Sequence, residues 1–230
     1  MNTSMTYWWP IVSAQCPTVP MPRTVTVFVK NQRALFAALD GKRLPDELLK
    51  RVAAACAKVG FPCFLRGDLT SGKHNYAETC FIAGPKHLAP HMFRLIEDSV
   101  LGPGSVPSAF YAREYLKLEA PFKAFKGLPI ARERRYFVED GEVICHHPYW
   151  PADAIRFSES GSFGPEGWST MLRAINREGV KEVAQLSEYA ALLGKAIGGA
   201  WSLDFARDVT RKWWFIDAAE AHLSWHSEHR

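Results

Sequence analysis

Alternation of apolar and polar positions along the chain is sharpest at residues 201–220, where two short runs each carry one carboxylate into an apolar setting. In the first, Trp201, Leu203 and Phe205 alternate with Ser202 and Asp204; in the second, Trp214 and Ile216 alternate with Phe215 and Asp217. A period of two predicts a pair of strands, and the polar residues 208–212 supply the turn. Two like charges near one sheet face do not both stay ionised unless a cation sits between them. Asp204 and Asp217 are therefore the first candidates for a metal site.

The rest of the chain divides by the same criteria. Residues 1–24 are punctuated by Pro10, Pro17, Pro20 and Pro22 and predict an extended lead-in. A β-branched strand follows at 24–29, then a helix capped by Asn31 and running to Asp40, and another over 46–59 that Gly60 ends. Strands are expected at 61–68 and 78–84, joined by a polar loop containing Ser71-Gly72-Lys73, which puts a lysine at a hairpin tip. A helix over 87–99 leads to a Gly/Pro-rich stretch at 101–108, the expected boundary between lobes. Beyond it lie a strand at 109–118, a hairpin at 130–150 turning at Asp140-Gly141, a flexible loop at 158–167 and an amphipathic helix at 181–199. The expected parts are 1–60 as lead-in and β-α lobe, 61–105 as a small lobe and 106–230 as a large one.

Composition narrows the function classes. A hydrophobic fraction of 47% supports an ample core, and no apolar run approaches the ~20 residues of a membrane helix. The N-terminus lacks the pattern of a signal peptide, so a cytoplasmic protein is expected. Five cysteines at scattered positions without a CxxC pair indicate neither a disulfide framework nor a zinc site. A net charge of +4 suits an anionic ligand, but no basic block marks a nucleic-acid surface. His146 and His147 are neighbours in a strand and point to opposite faces, so they do not form a ligand pair. His222, His226 and His229 read either as a loose metal cluster or as a polar terminus.

Read in order, FLRGDLTSGKHNYAETCFI (64–82), YAREYLKLEA (111–120), LPIARERRYFVEDGEVICHHPYW (128–150), WSLDFARD (201–208) and WFIDAAE (214–220) resemble the ATP-grasp superfamily. The similarity is to its divergent clade of phage and bacterial proteins related to the assembly factor for eukaryotic translation initiation factor two. The lead-in resembles phage members, for which the compartment is the host cytoplasm. The resemblance implies an α+β fold of two lobes, with ATP between two mainly antiparallel sheets. It also implies that Lys73 and Arg135 meet ATP phosphates, that Arg66 with Asp68 orients Lys73 or binds phosphate directly, and that Arg113 and Glu114 lie beside base and ribose. Glu133 would hold Arg135 or help gather magnesium, and Asp204 and Asp217 would be the Mg2+ ligands. Many relatives carry asparagine two positions after the second acidic residue; this chain has Ala219, leaving Glu220 or a water as third ligand. The activity implied is ligation, in which a carboxylate becomes an acylphosphate that an amine or thiol attacks, on a small molecule, peptide or protein. The alternatives are a non-catalytic ATP-binding assembly chaperone, and a nucleotidyl-transfer or nucleic-acid ligase using Lys73 as a covalent lysine. The latter lacks the lysine-x-aspartate-glycine motif. Glu133 and Arg135 also read as a plain cross-strand ion pair.

Overall fold

The computed structural model describes residues 3–125, 127–156 and 165–226. The chain forms two compact units, one of Pro22–Leu116 with Phe125–Leu128 and one of Met1–Met21, Lys117–Ala124 and Pro129–Arg230. Both are mixed α and β with antiparallel sheets.

The lead-in is not extended. Met5–Gln15 is a helix (α1) capped by Ser4, whose Oγ accepts from the Thr6 N–H at 3.2 Å. Pro10 sits inside it and forfeits one backbone bond. What outweighs that loss is burial: Met5, Trp8 and Val12, spaced along one helical face, are fully buried, and the Trp8 ring meets Phe215 edge-on at 5.6 Å. Residues 1–21 thus belong with the unit that carries Phe215, and the expected 1–60 lobe is divided.

In the unit Pro22–Leu116, β1 (Thr24–Phe28) is followed by α2 (Gln32–Leu39) and α3 (Asp46–Val59). Next come β2 (Cys63–Gly67), the two-residue β3 (Phe81–Ile82), α4 (Leu88–Leu101) and β4 (Ala109–Glu114). The sheet order is β1-β4-β2-β3. Helices α3 and α4 pack against it, and Val27, Cys63, Leu65, Ile82, Phe110 and Ala112 from the strands join Val52, Cys56, Met92 and Leu95 in one core. Because β4 lies between β1 and β2, the Gly/Pro-rich 101–108 stretch is a connection within this unit and not its boundary, which falls after Leu116. Asp68 fastens that connection: its carboxylate accepts from Ser108 N at 2.9 Å and Ser108 Oγ at 2.6 Å.

In the other unit, after the short ribbon strands β5 (Phe122–Ala124) and β6 (Leu128–Ile130), come β7 (Glu133–Glu139) and β8 (Glu142–Pro148). Helices α5 (Ala152–Arg156), α6 (Trp168–Asn176) and α7 (Val180–Ile197) precede β9 (Ala200–Arg207) and β10 (Trp213–Glu220). The sheet order is β10-β9-β7-β8. Positive φ at Asp140 (48°) and Gly141 (90°) makes the two-residue hairpin turn that the Asp-Gly pair predicts. Helix α7 covers one face, where Tyr136, Val138, Leu203, Phe205 and Phe215 are buried. Arg134, also buried on that face, donates to Glu182 of α7 at 2.6 Å. Residues 158–164 of the expected flexible loop lie outside the described residues. Among the described residues, no helix is long and apolar enough to cross a membrane.

Candidate functional site

On the face of the β7–β10 sheet opposite α7, one row of directly paired residues crosses all four strands. His147 pairs with Arg135, Arg135 with Asp204, and Asp204 with Asp217. Side chains so paired have Cβ atoms about 4.5–5.5 Å apart. Asp217 reaches this row through a β-bulge. Phe215 pairs with Phe205, and the next partner of Asp204 is Asp217, leaving Ile216 as the extra residue. Simple alternation sets Asp217 in phase with Phe215, which is buried on the α7 face. The bulge turns it over to face the same way as Asp204.

Arg135 is fixed by two parallel bonds to Asp204, Nε to Oδ1 and Nη2 to Oδ2, both 2.8 Å, and by the Tyr149 ring 4.6 Å from its guanidinium carbon. Burial disfavours its charge, but Asp204 and, more weakly, Tyr149 and Asp217 outweigh this and raise its pKa above the ordinary value. Asp217 is half-buried and accepts from the Ala218 N–H at 3.0 Å. Glu133, buried and two residues before Arg135 on the same face, accepts from Trp150 Nε1 at 3.2 Å. Ala219 pairs with Ser202 on this face, whereas Glu220 pairs with Trp201, out of phase with Asp204 and Asp217. The Glu220 carboxylate lies 3.7 Å from His222 Nδ1. A period of two thus sets Glu220 out of phase with the two aspartates.

Among the described residues, no three His, Cys, Asp or Glu side chains gather as a metal cluster. Two carboxylates facing each other, one of them neutralised by Arg135, nonetheless fit a hard cation that takes its remaining oxygens from phosphate and water. Two nearby cations are engaged elsewhere: Arg207 with Glu119 at 2.6 Å and Lys212 over the Trp214 ring at 3.9 Å.

The unit Pro22–Leu116 has its own cationic face. Arg66 pairs with Tyr111 and Arg113 with Phe64 and Thr24, all on the side of the sheet opposite the apolar core. Arg66 and Arg113 are buried; Arg66 Nε donates to Gly67 O at 3.1 Å and Arg113 Nε to Thr24 Oγ1 at 3.4 Å. Lys73 opens a single 3₁₀ turn, Lys73–Asn75, instead of a hairpin tip. That turn is pinned by the buried Thr79, whose hydroxyl lies 2.6 Å from Gly72 O and 2.8 Å from Asn75 O. Gly72 has φ 63°, and a Cβ there would stand 2.6 Å from Leu95 Cδ2. Burial pushes the Cys80 thiol up to about 12 against the pull of Thr79, Lys73 and Arg66.

Asp68 clamps Ser108, and Glu114 holds Arg23, accepting from its N–H at 3.0 Å and from Nε at 2.7 Å.

Two groups escaped the sequence reading. The Tyr111 hydroxyl, buried on the face of Arg66 and Arg113, has no hydrogen-bond partner among the described residues. His147 likewise has a buried Nε2 without a partner among them, while its Nδ1 lies 2.8 Å from Pro148 O. Alternation separates His147 from His146, which stacks on Tyr136 on the α7 face, but an orphaned nitrogen leaves no trace in a sequence.

No protein-family model and no curated protein sequence matches the chain. Solved structures do. Cdc123 from Schizosaccharomyces pombe superposes with a TM-score of 0.60 at 10% identity, over 95% of this chain and 83% of that one. Biotin carboxylase from Campylobacter jejuni, solved with an ATP analogue, gives 0.55 at 15% identity over 100% of this chain and 42% of its own. The VanG D-Ala:D-Ser ligase from Enterococcus faecalis gives 0.56 at 11% identity over 96% and 52%. With the motif order and the paired antiparallel sheets, these likenesses show that the protein has the ATP-grasp fold, in a form related to that of Cdc123.

Proposed function

We propose that the protein is an ATP- and magnesium-dependent ligase that activates a carboxylate for attack by an amine or thiol. The observation that carries this reading is the Arg135, Asp204, Asp217 row, a partly buried cation beside two facing carboxylates. A phosphoryl-transfer site needs charge neutralisation and positioning more than a nucleophilic side chain. In the first step a substrate carboxylate oxygen attacks the γ-phosphorus and ADP leaves. In the second, the amine or thiol attacks the acyl carbon, loses a proton, and phosphate leaves. Arg135 would neutralise the transferring phosphoryl group, and Lys73 and Arg66 would supply further positive charge to the triphosphate. Arg113 would lie at the nucleoside, and Glu133, which accepts from Trp150 Nε1, would hold Arg135 in place or help gather magnesium. Asp204 and Asp217 would hold magnesium, which when bound would supply positive charge against that of the phosphates. The substrates are a small molecule, peptide or protein, and the expected compartment is the cytoplasm.

The test is ADP release in single turnover with Mg-ATP and panels of acids and amines. Release that depends on both an acid and an amine supports the ligase; Arg135→Ala should slow it by about 10²–10³-fold. ATP binding without ADP formation under every condition would sink it in favour of the second reading, an ATP-binding assembly chaperone. One specific observation favours that second reading: Ala219 faces the metal side without an oxygen where many relatives place asparagine.

A further inference from the structure

The face that carries Arg135 is not bare. After β10 a 3₁₀ turn, Ala221–Leu223, folds the chain back, and Ser224, Trp225 and His226 lie against that face. Each makes its own contact. Ser224 Oγ and Ser202 Oγ are 2.5 Å apart, Trp225 O accepts from Arg135 Nη1 at 3.5 Å, and His226 Nε2 lies 2.8 Å from Cys145 Sγ. The Trp225 ring meets His147 edge-on at 5.0 Å, and the His226 ring lies 4.6 Å from Phe137 and 5.5 Å from His147. Phe137, Cys145 and His147 are all in register with Arg135 on the face opposite α7.

Two details show what the segment displaces. Asp204 takes the Nε N–H and one Nη2 N–H of Arg135, so the donors that remain to meet an anion include both on Nη1, and it is Nη1 that reaches the Trp225 carbonyl. His147, only 7% exposed, keeps an Nε2 without a partner among the described residues while Trp225 and His226 pack over its ring. A buried ring nitrogen left unsatisfied costs free energy, which is recovered once a donor or water replaces the rings above it. At Trp225 the hold is light: the residue is half exposed and the bond from Arg135 to its carbonyl is long.

We propose that Ser224–His226 is a competitor in cis for the phosphate-bearing ligand of Arg135, seated in a subsite made by Arg135, His147, Cys145, Phe137 and Ser202. Nucleotide entry moves it off; its return covers the face again. This rests on Arg135 as a phosphate-binding cation, so the experiment keeps the two ideas separable.

Binding of Mg-ATP is measured by calorimetry on the full chain, on the double variant Trp225→Gly/His226→Ala and on Arg135→Ala, with folding checked by circular dichroism. A segment seated nine-tenths of the time reduces apparent affinity about tenfold, so the double variant should bind about tenfold more tightly. In the unaltered chain, hydrogen exchange of the amides of residues 222–226 should quicken on saturation with Mg-ATP. This arm needs no variant and survives a variant that fails to fold. Equal affinity in the full chain and double variant, with exchange unchanged or slowed, overturns the competition while leaving the phosphate role of Arg135 intact, provided Arg135→Ala no longer binds. Unimpaired binding by Arg135→Ala, or no binding by any form, overturns both.

Discussion

Asp204 and Asp217 face each other across neighbouring strands, yet the two carboxylates have different tasks. The buried Asp204 satisfies the partly buried Arg135 with both oxygens, so Asp204→Ala leaves a largely desolvated cation without its partner and should cost about 3–5 kcal/mol. In a chain of this size that is a fall in Tm of roughly 6–20 °C, readable by calorimetry. Asp217 is half-buried, so Asp217→Asn should change stability by about 1 kcal/mol or less while removing magnesium-dependent nucleotide binding. Unfolding of Asp217→Asn would mark the carboxylate as structural instead. The period-2 register carries a second prediction. Ala219 shares the aspartate face and Glu220 does not, so Ala219→Asn should tighten magnesium-dependent ATP binding, whereas Glu220→Ala should leave it within about twofold. Titrating magnesium at fixed ATP checks both variants, and a large loss in Glu220→Ala would restore Glu220 as a ligand.

At the scale of the element, the turn between β9 and β10 sets where Asp217 arrives. Asp208 organises it: Oδ1 accepts from Thr210 N at 2.8 Å, Thr210 Oγ1 at 2.6 Å and Lys212 N at 3.0 Å, and Oδ2 from Trp214 Nε1 at 2.8 Å. Burial alone would raise its pKa, but these bonds outweigh it and hold the carboxyl below its ordinary value. A depressed folded pKa means stability that is present above the unfolded value, near 3.9, and lost as pH falls through the folded one. Asp208→Ala should therefore cost about 1–3 kcal/mol at pH 7, and the gap to the unaltered protein should narrow as pH falls below about 4; urea denaturation at a series of pH values measures it. The turn itself was legible, because 208–212 is polar between two apolar runs. The bulge was not: Phe215 and Ile216 are adjacent and both apolar, so alternation does not show which of them faces the core. The same degeneracy hid α1, where four prolines among the first 22 residues outweighed the helical spacing of Met5, Trp8 and Val12. Cap and turn chemistry, by contrast, marked Asn31, Gly60 and Asp140-Gly141 plainly, since each does its work within a few residues of its own position.

On the scale of the whole molecule, the order of motifs carried the fold where no single motif did, and the division of the chain was hardest to read. A linker composition at 101–108 signals a break, but β4 must pair with β1 and β2 before the chain leaves the first unit, and pairing partners that far apart in sequence leave no local trace. Each unit has cations on the sheet face turned away from its helices, the buried Arg66 and Arg113 in one and the partly buried Arg135 in the other. If one nucleotide draws on both sets, its binding must fail when either is removed, although the units have separate cores. Mg-ATP at about 100 times its Kd should stabilise the protein by about 2.7 kcal/mol, a rise in Tm of roughly 5–10 °C that grows with the logarithm of concentration. Arg66→Ala and Arg135→Ala should each abolish the rise, and chelation of magnesium should remove most of it. A rise that survives Arg66→Ala but not Arg135→Ala would confine the nucleotide to the unit of β7–β10 and deprive Arg66 of its proposed role.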